Sequence, residues 1–253
     1  MRRTKNEGKE KCMITDRDIE LMRWINRQGM VTAYQVAEKF EIGIKKVHMR
    51  LGMMKAKKLV NHQKILFGQP GVYWLTRDGV SVCESDLKPI KGLTISTLQH
   101  DLQVVSLAIK LEQQYGGKWV TAREIVAKQT SRTMNALQQL KVIKQCYPDG
   151  ILETPNGRIA VELELTQKAA SRIRKIINEY AHLVISGQYV EVWYVCRNWQ
   201  IGEHMLLTAS TTAMAGKFRA FLKEDLSEIQ GTSMRESAAK KQRAQTEFDF
   251  TKF

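Results

Sequence analysis

In the stretch YPDGILETPNGRIAVELELTQK, residues 147–168, an aspartate follows a proline and two glutamates interrupt an apolar run. Side chains alternate faces along a strand, so Glu162 and Glu164 point one way and Ile159, Val161, Leu163 and Leu165 the other. The turn signal TPNG at 154–157 separates this strand from DGILE, which predicts an antiparallel hairpin. Two registers fit that turn, one setting Asp149 opposite Glu162 and the other opposite Glu164. Directly opposed residues share a face, so the three carboxylates converge in either register. Three like charges held close raise a pKa or hold a cation, and oxygen-only ligation suits Mg2+ or Mn2+. An exposed strand whose acids pair with Arg158, Arg172 or Lys175 would show the same spacing, and the residues by themselves leave both readings open.

A second set of candidates is basic. The segment IKKVHMRLGMMKAKKL, residues 44–59, reads as a helix with Val47, Leu51, Met54 and Leu59 inward. Its other face carries Lys45, Lys46, His48, Arg50, Lys55, Lys57 and Lys58 and no acid, which suits phosphate contact, although a solvated helix face is the plainer alternative. Two shorter helices come first. TDRDIELMRWINRQGMVT is capped by Thr15 or Asp16 and stopped by Gly29, and TAYQVAEKFEIG runs from a Thr32 cap to near Gly43. Two short strands follow around the turn at Gly68–Gly71. Three helices and then a hairpin is the winged helix-turn-helix order, in which the last helix enters the major groove. The net charge of +14 points to a polyanionic partner, and residues 1–100 are the more one-sided, with 19 cations to 10 acids against 21 to 16 beyond.

These patterns predict a basic arm at 1–13, a winged-helix domain at 14–83, a linker at 84–97, a second domain at 98–228 and a polar, disordered tail at 229–253. Within the second domain TLQHDLQVVSLAIKLEQQYG reads as a well-buried helix and KWVTAREIVAK as a strand or strand-to-helix stretch, while 129–146 is left unassigned. AASRIRKIINEYAHLV is an amphipathic helix with Ile173, Ile176, Ile177 and Tyr180 inward, QYVEVWYVCR a central strand, and TTAMAGKFRAFLKEDLSEI a last helix. Cys12, Cys83, Cys146 and Cys196 form no CxxC pair, so neither a disulfide framework nor a zinc cluster is expected. With no signal-peptide core and no apolar run of membrane-spanning length, the expectation is a soluble, cytoplasmic protein without membrane insertion. His48, His62, His100, His182 and His204 never fall two apart, which argues against a His-hydrophobe-His metal triad serving a tyrosine nucleophile. Tyr180 then reads as a core residue, and His100 with Asp101 as a structural polar pair.

Pro148-Asp149, a hairpin, and Glu162-x-Glu164 ahead of a lysine-bearing helix resemble the PD-(D/E)xK phosphodiesterase core in a variant whose second-position lysine is acidic. The resemblance implies metal binding by Asp149, Glu162 and Glu164, with Lys168 or Lys175 supplying the positive charge from a displaced position. The order of ITDRDIELMRWINRQGMVTAYQVAEKF, VYWLTRDG, QHDLQVVSLAIKL, YPDGIL, VELELTQ and KIINEY is similar to that of the plasmid replication-relaxation family, with its MobC-type mobilization relaxases, over about residues 14–197. The implied fold is α+β, a winged helix followed by a restriction-endonuclease-like mixed sheet flanked by helices. The implied function is Mg2+- or Mn2+-dependent nicking of one strand at a plasmid transfer origin, with accessory mobilization or coupling proteins as partners. Two rivals stand beside it: a non-enzymatic replication or transfer regulator, and a double-strand restriction-type endonuclease.

Overall fold

The computed structural model describes residues 13–65, 68–130, 147–212 and 214–224. They form a mixed α+β structure with eight helices and two sheets among the described residues. These fall into two compact units, those of 1–109 with 123–139 and those of 110–122 with 140–253. Among the described residues no helix is long and apolar enough to cross a membrane. The arm and the tail expected at the termini lie outside the described residues, apart from Met13.

The first unit begins with α1 (Asp16–Gln28). Its cap is Thr15, whose hydroxyl accepts from the Asp18 amide while the Asp18 carboxylate accepts from the Thr15 amide. Gly29 closes the helix at a φ of 87°, a conformation that favours glycine. The chain continues through β1 (Val31–Thr32), α2 (Ala33–Phe40), α3 (Ile44–Ala56), β2 (Val60–Gln63) and β3 (Val72–Leu75). The three strands pair antiparallel in the order β1-β3-β2. Thr32 caps α2 through a reciprocal pair with Gln35. Val47, Leu51 and Met54 turn the apolar stripe of α3 into the same core as Leu21, Met22, Ile25 and Leu75.

Residues 84–97, expected as a linker, cluster with this unit; 84–94 form no helix or strand, and a helix begins at 95. A short helix, α4 (Arg77–Val82), is capped by Thr76, and Gly79 passes so close to the Leu59 carbonyl that a Cβ there would lie 2.0 Å from its oxygen. Asn26, buried in α1, donates its amide to Ser85 Oγ and the Leu87 carbonyl, tying 85–87 down. The helix α5 (Ile95–Tyr115) starts inside the expected linker, and its residues through Ile109 belong to the first unit. Most of α6 (Ala122–Thr130) belongs there too, since Glu124 pairs with Arg27 at 2.9 Å and Arg123 reaches the Asn26 carbonyl.

The second unit is a five-stranded sheet in the order β4 (Lys118–Thr121), β5 (Gly150–Thr154), β6 (Gly157–Glu164), β7 (Glu191–Cys196), β8 (Phe218–Leu222). The first two pairings are antiparallel and the last two parallel. Between β6 and β7 runs α7 (Ala170–Ile185), with Ile173, Ile176, Ile177 and Tyr180 buried as expected; α8 (Trp199–Ser210) connects β7 to β8. Strand β8 stands where a last helix was read from TTAMAGKFRAFLKEDLSEI, residues 211–229, of which 213 and 225–229 lie outside the described residues; α8 ends just before that segment. The apolar residues of FRAFL fit either period, and pairing with the free side of β7 makes them a strand. On one sheet face Glu162, Glu164, Tyr194 and Cys196 meet α7 and α8, the latter through Gly202, where a Cβ would stand 3.4 Å from that of Ala220. On the other, Trp193 packs against Phe221 and against Tyr115 at the end of α5.

Candidate functional site

The hairpin adopts one of its two expected registers, with Thr154 opposite Gly157 and Gly150 opposite Val161. One further step places Asp149 opposite Glu162. Asp149 is held there by the Leu163 amide, which donates to Oδ2 at 2.8 Å, so the aspartate sits against the β6 backbone between the two glutamates. Gly150 locks the approach: a Cβ at this residue would fall 1.9 Å from the buried Trp119 ring.

Each glutamate has its own partner. The buried Tyr180 donates its hydroxyl to Glu162 Oε1. Glu164, only 4 % exposed, forms an ion pair through Oε2 with the Lys168 ammonium, and its Oε1 accepts weakly from the Thr166 amide at 3.4 Å. The same ammonium faces Cys196, the register partner of Glu164. Burial pushes the Cys196 thiol up to about 12, with Lys168 pulling the other way. The burial of Glu164 excludes the exposed-face alternative for that residue, and Arg158 pairs instead with Glu153 at 3.6 Å. Lys175 does not reach the acids: it is exposed and lies 3.9 Å from Glu179 on α7. Among the described residues no group of three or more histidine, cysteine, aspartate or glutamate side chains is gathered as a metal-ligand set. Asp149, Glu162, Glu164 and Lys168 thus share one end of the sheet, each with a partner inside the fold.

The expected role of Tyr180 as core is met by its ring but misses its hydroxyl, whose reach to Glu162 depends on how α7 lies over β6. Helical spacing turns Tyr180 inward but carries no information on which strand residue it meets.

In the first unit Lys45, Lys46, His48, Lys55, Lys57 and Lys58 are all exposed on or just after α3. Arg50 departs from this set. Its guanidinium grips the buried Asp18 carboxylate of α1, Nε to Oδ1 at 2.8 Å and Nη2 to Oδ2, because Asp18 needs a cation once α1 and α3 pack. Met49 is 60 % exposed among these cations, an apolar group that counting charges does not pick out. His62 on β2 stacks on Tyr73 at 4.3 Å, and burial, then Lys55 and His48, lower its pKa. His100 pairs locally with Asp101 at 3.6 Å.

No family model, curated protein or solved structure matches the chain.

Proposed function

We propose that this protein is a DNA nickase: its first unit acts as a winged helix that binds a plasmid transfer-origin sequence, and the acids of its second unit cleave one strand with a divalent metal. The observation that carries this reading is the grouping of Asp149, Glu162, Glu164 and Lys168 at one end of a sheet whose successive pairings are antiparallel, antiparallel, parallel and parallel. That order, with α5 on one face and α7 on the other, supports a PD-(D/E)xK-like core. The order helix, strand, helix, helix, strand, strand and the acid-free exposed cations of α3 support the winged helix.

The donor set is oxygen only and fits a hard cation such as Mg2+ or Mn2+. Asp149 and Glu162 would hold it, with Glu164 committed to Lys168. When bound, such a cation polarises a phosphate and lowers the pKa of a bound water. The chain's own groups do the rest. The Leu163 amide fixes Asp149, Tyr180 orients Glu162, and Glu164 anchors the Lys168 ammonium where it can stabilise negative charge developing on a phosphate.

Purified protein with Mg2+ or Mn2+ is expected to relax supercoiled plasmid carrying its cognate origin. Asp149→Ala or Glu162→Ala should abolish relaxation and leave DNA binding intact, and nicking that persists in both variants sinks the assignment. A second reading, a DNA-binding regulator whose acids are structural, is favoured by the partner that each acid already has within the fold. Full binding with no cleavage under any divalent ion would establish it, while two cuts instead of one nick would indicate a restriction-type endonuclease.

A further inference from the structure

The solvent face of α3 is not uniformly basic. Residues follow one another about 100° apart around a helix. The side opposite the core residues Val47, Leu51 and Met54 is therefore shared by Lys45, Met49, Gly52 and Ala56, all of them exposed. These four form one ridge along the helix axis. Lys46 flanks the ridge on one side, His48 and Lys55 on the other. Beyond Lys45, then, the residues standing farthest from the core carry no charge, and the cations lie at their margins.

Gly52 has no explanation inside the fold. It sits within the helix, and a Cβ there would meet nothing within 4 Å, so packing does not call for glycine. Glycine also weakens a helix interior relative to alanine. What calls for it is a surface outside the protein that comes close to the helix backbone. Met49, 60 % exposed, stands one turn before it on the same ridge. The helix contains no acid and its cations bracket the ridge, so the covering surface is a polyanion. Duplex DNA fits this arrangement. A helix seated in the major groove turns its outermost face to the base edges and its flanks to the phosphates of the walls. In that groove the thymine 5-methyl is the group that an apolar side chain contacts.

We propose that Met49 reads a thymine methyl in the major groove and that Gly52 lets the α3 backbone sink far enough for it to do so, with Lys46 and Lys55 on the flanking phosphates. This rests on the winged-helix part of the nickase reading. It adds which residue of α3 carries sequence information, and that residue is not one of the cations.

The test uses the full chain in chelator, so that nothing is cut, and a duplex library whose central base pairs are randomised. The enriched duplexes should show a position preferring thymine that Met49→Ala loses and Met49→Leu keeps. Uracil in place of that thymine removes only the methyl group. It should weaken binding of the parent about fourfold, as one methyl group left in water requires, and leave binding of Met49→Ala unchanged. Gly52→Gln should raise the thermal midpoint, because glycine is the poorer helix former and the added side chain stands in open space. The same variant should bind the selected duplex more weakly than the parent does, a loss that a purely structural role for Gly52 does not produce. Lys55→Gln should lower the salt slope and keep the thymine preference. A preference that survives Met49→Ala, a parent with no thymine preference, or Gly52→Gln binding as tightly as the parent overturns the proposal and leaves the winged helix standing. A parent that enriches no sequence overturns both. A parent that shows the Met49 effect yet nicks no duplex carrying the selected site sinks the nickase reading and leaves Met49 on thymine.

Discussion

Lys168 takes the place of the lysine that the hairpin pattern lacks at position 164. It reaches the Glu164 carboxylate from four residues further on, and both groups are largely withdrawn from solvent. Breaking a buried pair by removing one partner leaves an uncompensated charge, which costs about 3–5 kcal/mol. Lys168→Met should therefore lower the urea midpoint strongly, and Glu164→Gln/Lys168→Met should recover part of the loss. A Lys168→Met variant as stable as the parent would show that the pair contributes nothing. The Cys196 thiol, pushed up to about 12 by burial, should stay protonated and resist alkylation of the native protein at neutral pH. Burial shifts His62 in the opposite direction, with a consequence for stability. Its folded pKa lies below the ordinary 6.5, so the unfolded chain takes up the proton first and stability falls as pH drops through 6.5, levelling off below the folded value. Thermal midpoints between pH 7.5 and 5 should decline less in His62→Gln than in the parent.

At the scale of elements, α3 carries two kinds of cation that salt dependence can separate. If Lys55 meets a phosphate, Lys55→Gln should reduce the slope of log affinity for duplex DNA against log salt by about 0.9. Arg50→Met should instead lower the denaturation midpoint and leave the slope of the folded protein unchanged, because its guanidinium is bound to Asp18. An Arg50→Met slope change as large as that of Lys55→Gln would place Arg50 on DNA after all. The β5-β6 hairpin makes its own prediction. Gly150 has the Trp119 ring where a Cβ would go, so Gly150→Ala must shift either the indole or the strand that carries Asp149. Overpacking of this kind costs about 1–3 kcal/mol, and circular dichroism melts should show the loss.

For the whole molecule, recognition and chemistry are proposed to reside in separate compact units, so variants in each should fail differently. Lys55→Gln/Lys57→Gln should raise the protein concentration needed for half-maximal nicking and leave the rate at saturation near the parent value, whereas Asp149→Ala should do the reverse. Much of this organisation was legible in the sequence. Caps at Thr15 and Thr32, the stop at Gly29, the inward stripes of α3 and α7 and the hairpin turn at 154–157 all depend on residues a few positions apart, whose conformational preferences act locally. The sequence also confined the hairpin to two registers, in both of which Asp149 faces a glutamate. Tertiary structure alone chose between those registers, turned FRAFL into a strand on the edge of β7, folded 84–97 into the first unit, and matched Tyr180 to Glu162, Lys168 to Glu164 and Arg50 to Asp18. Most of those outcomes depend on partners far away along the chain, and even Lys168 meets Glu164 only because the sheet and the helix above it bury the carboxylate. A local period cannot encode which distant surface a side chain will meet.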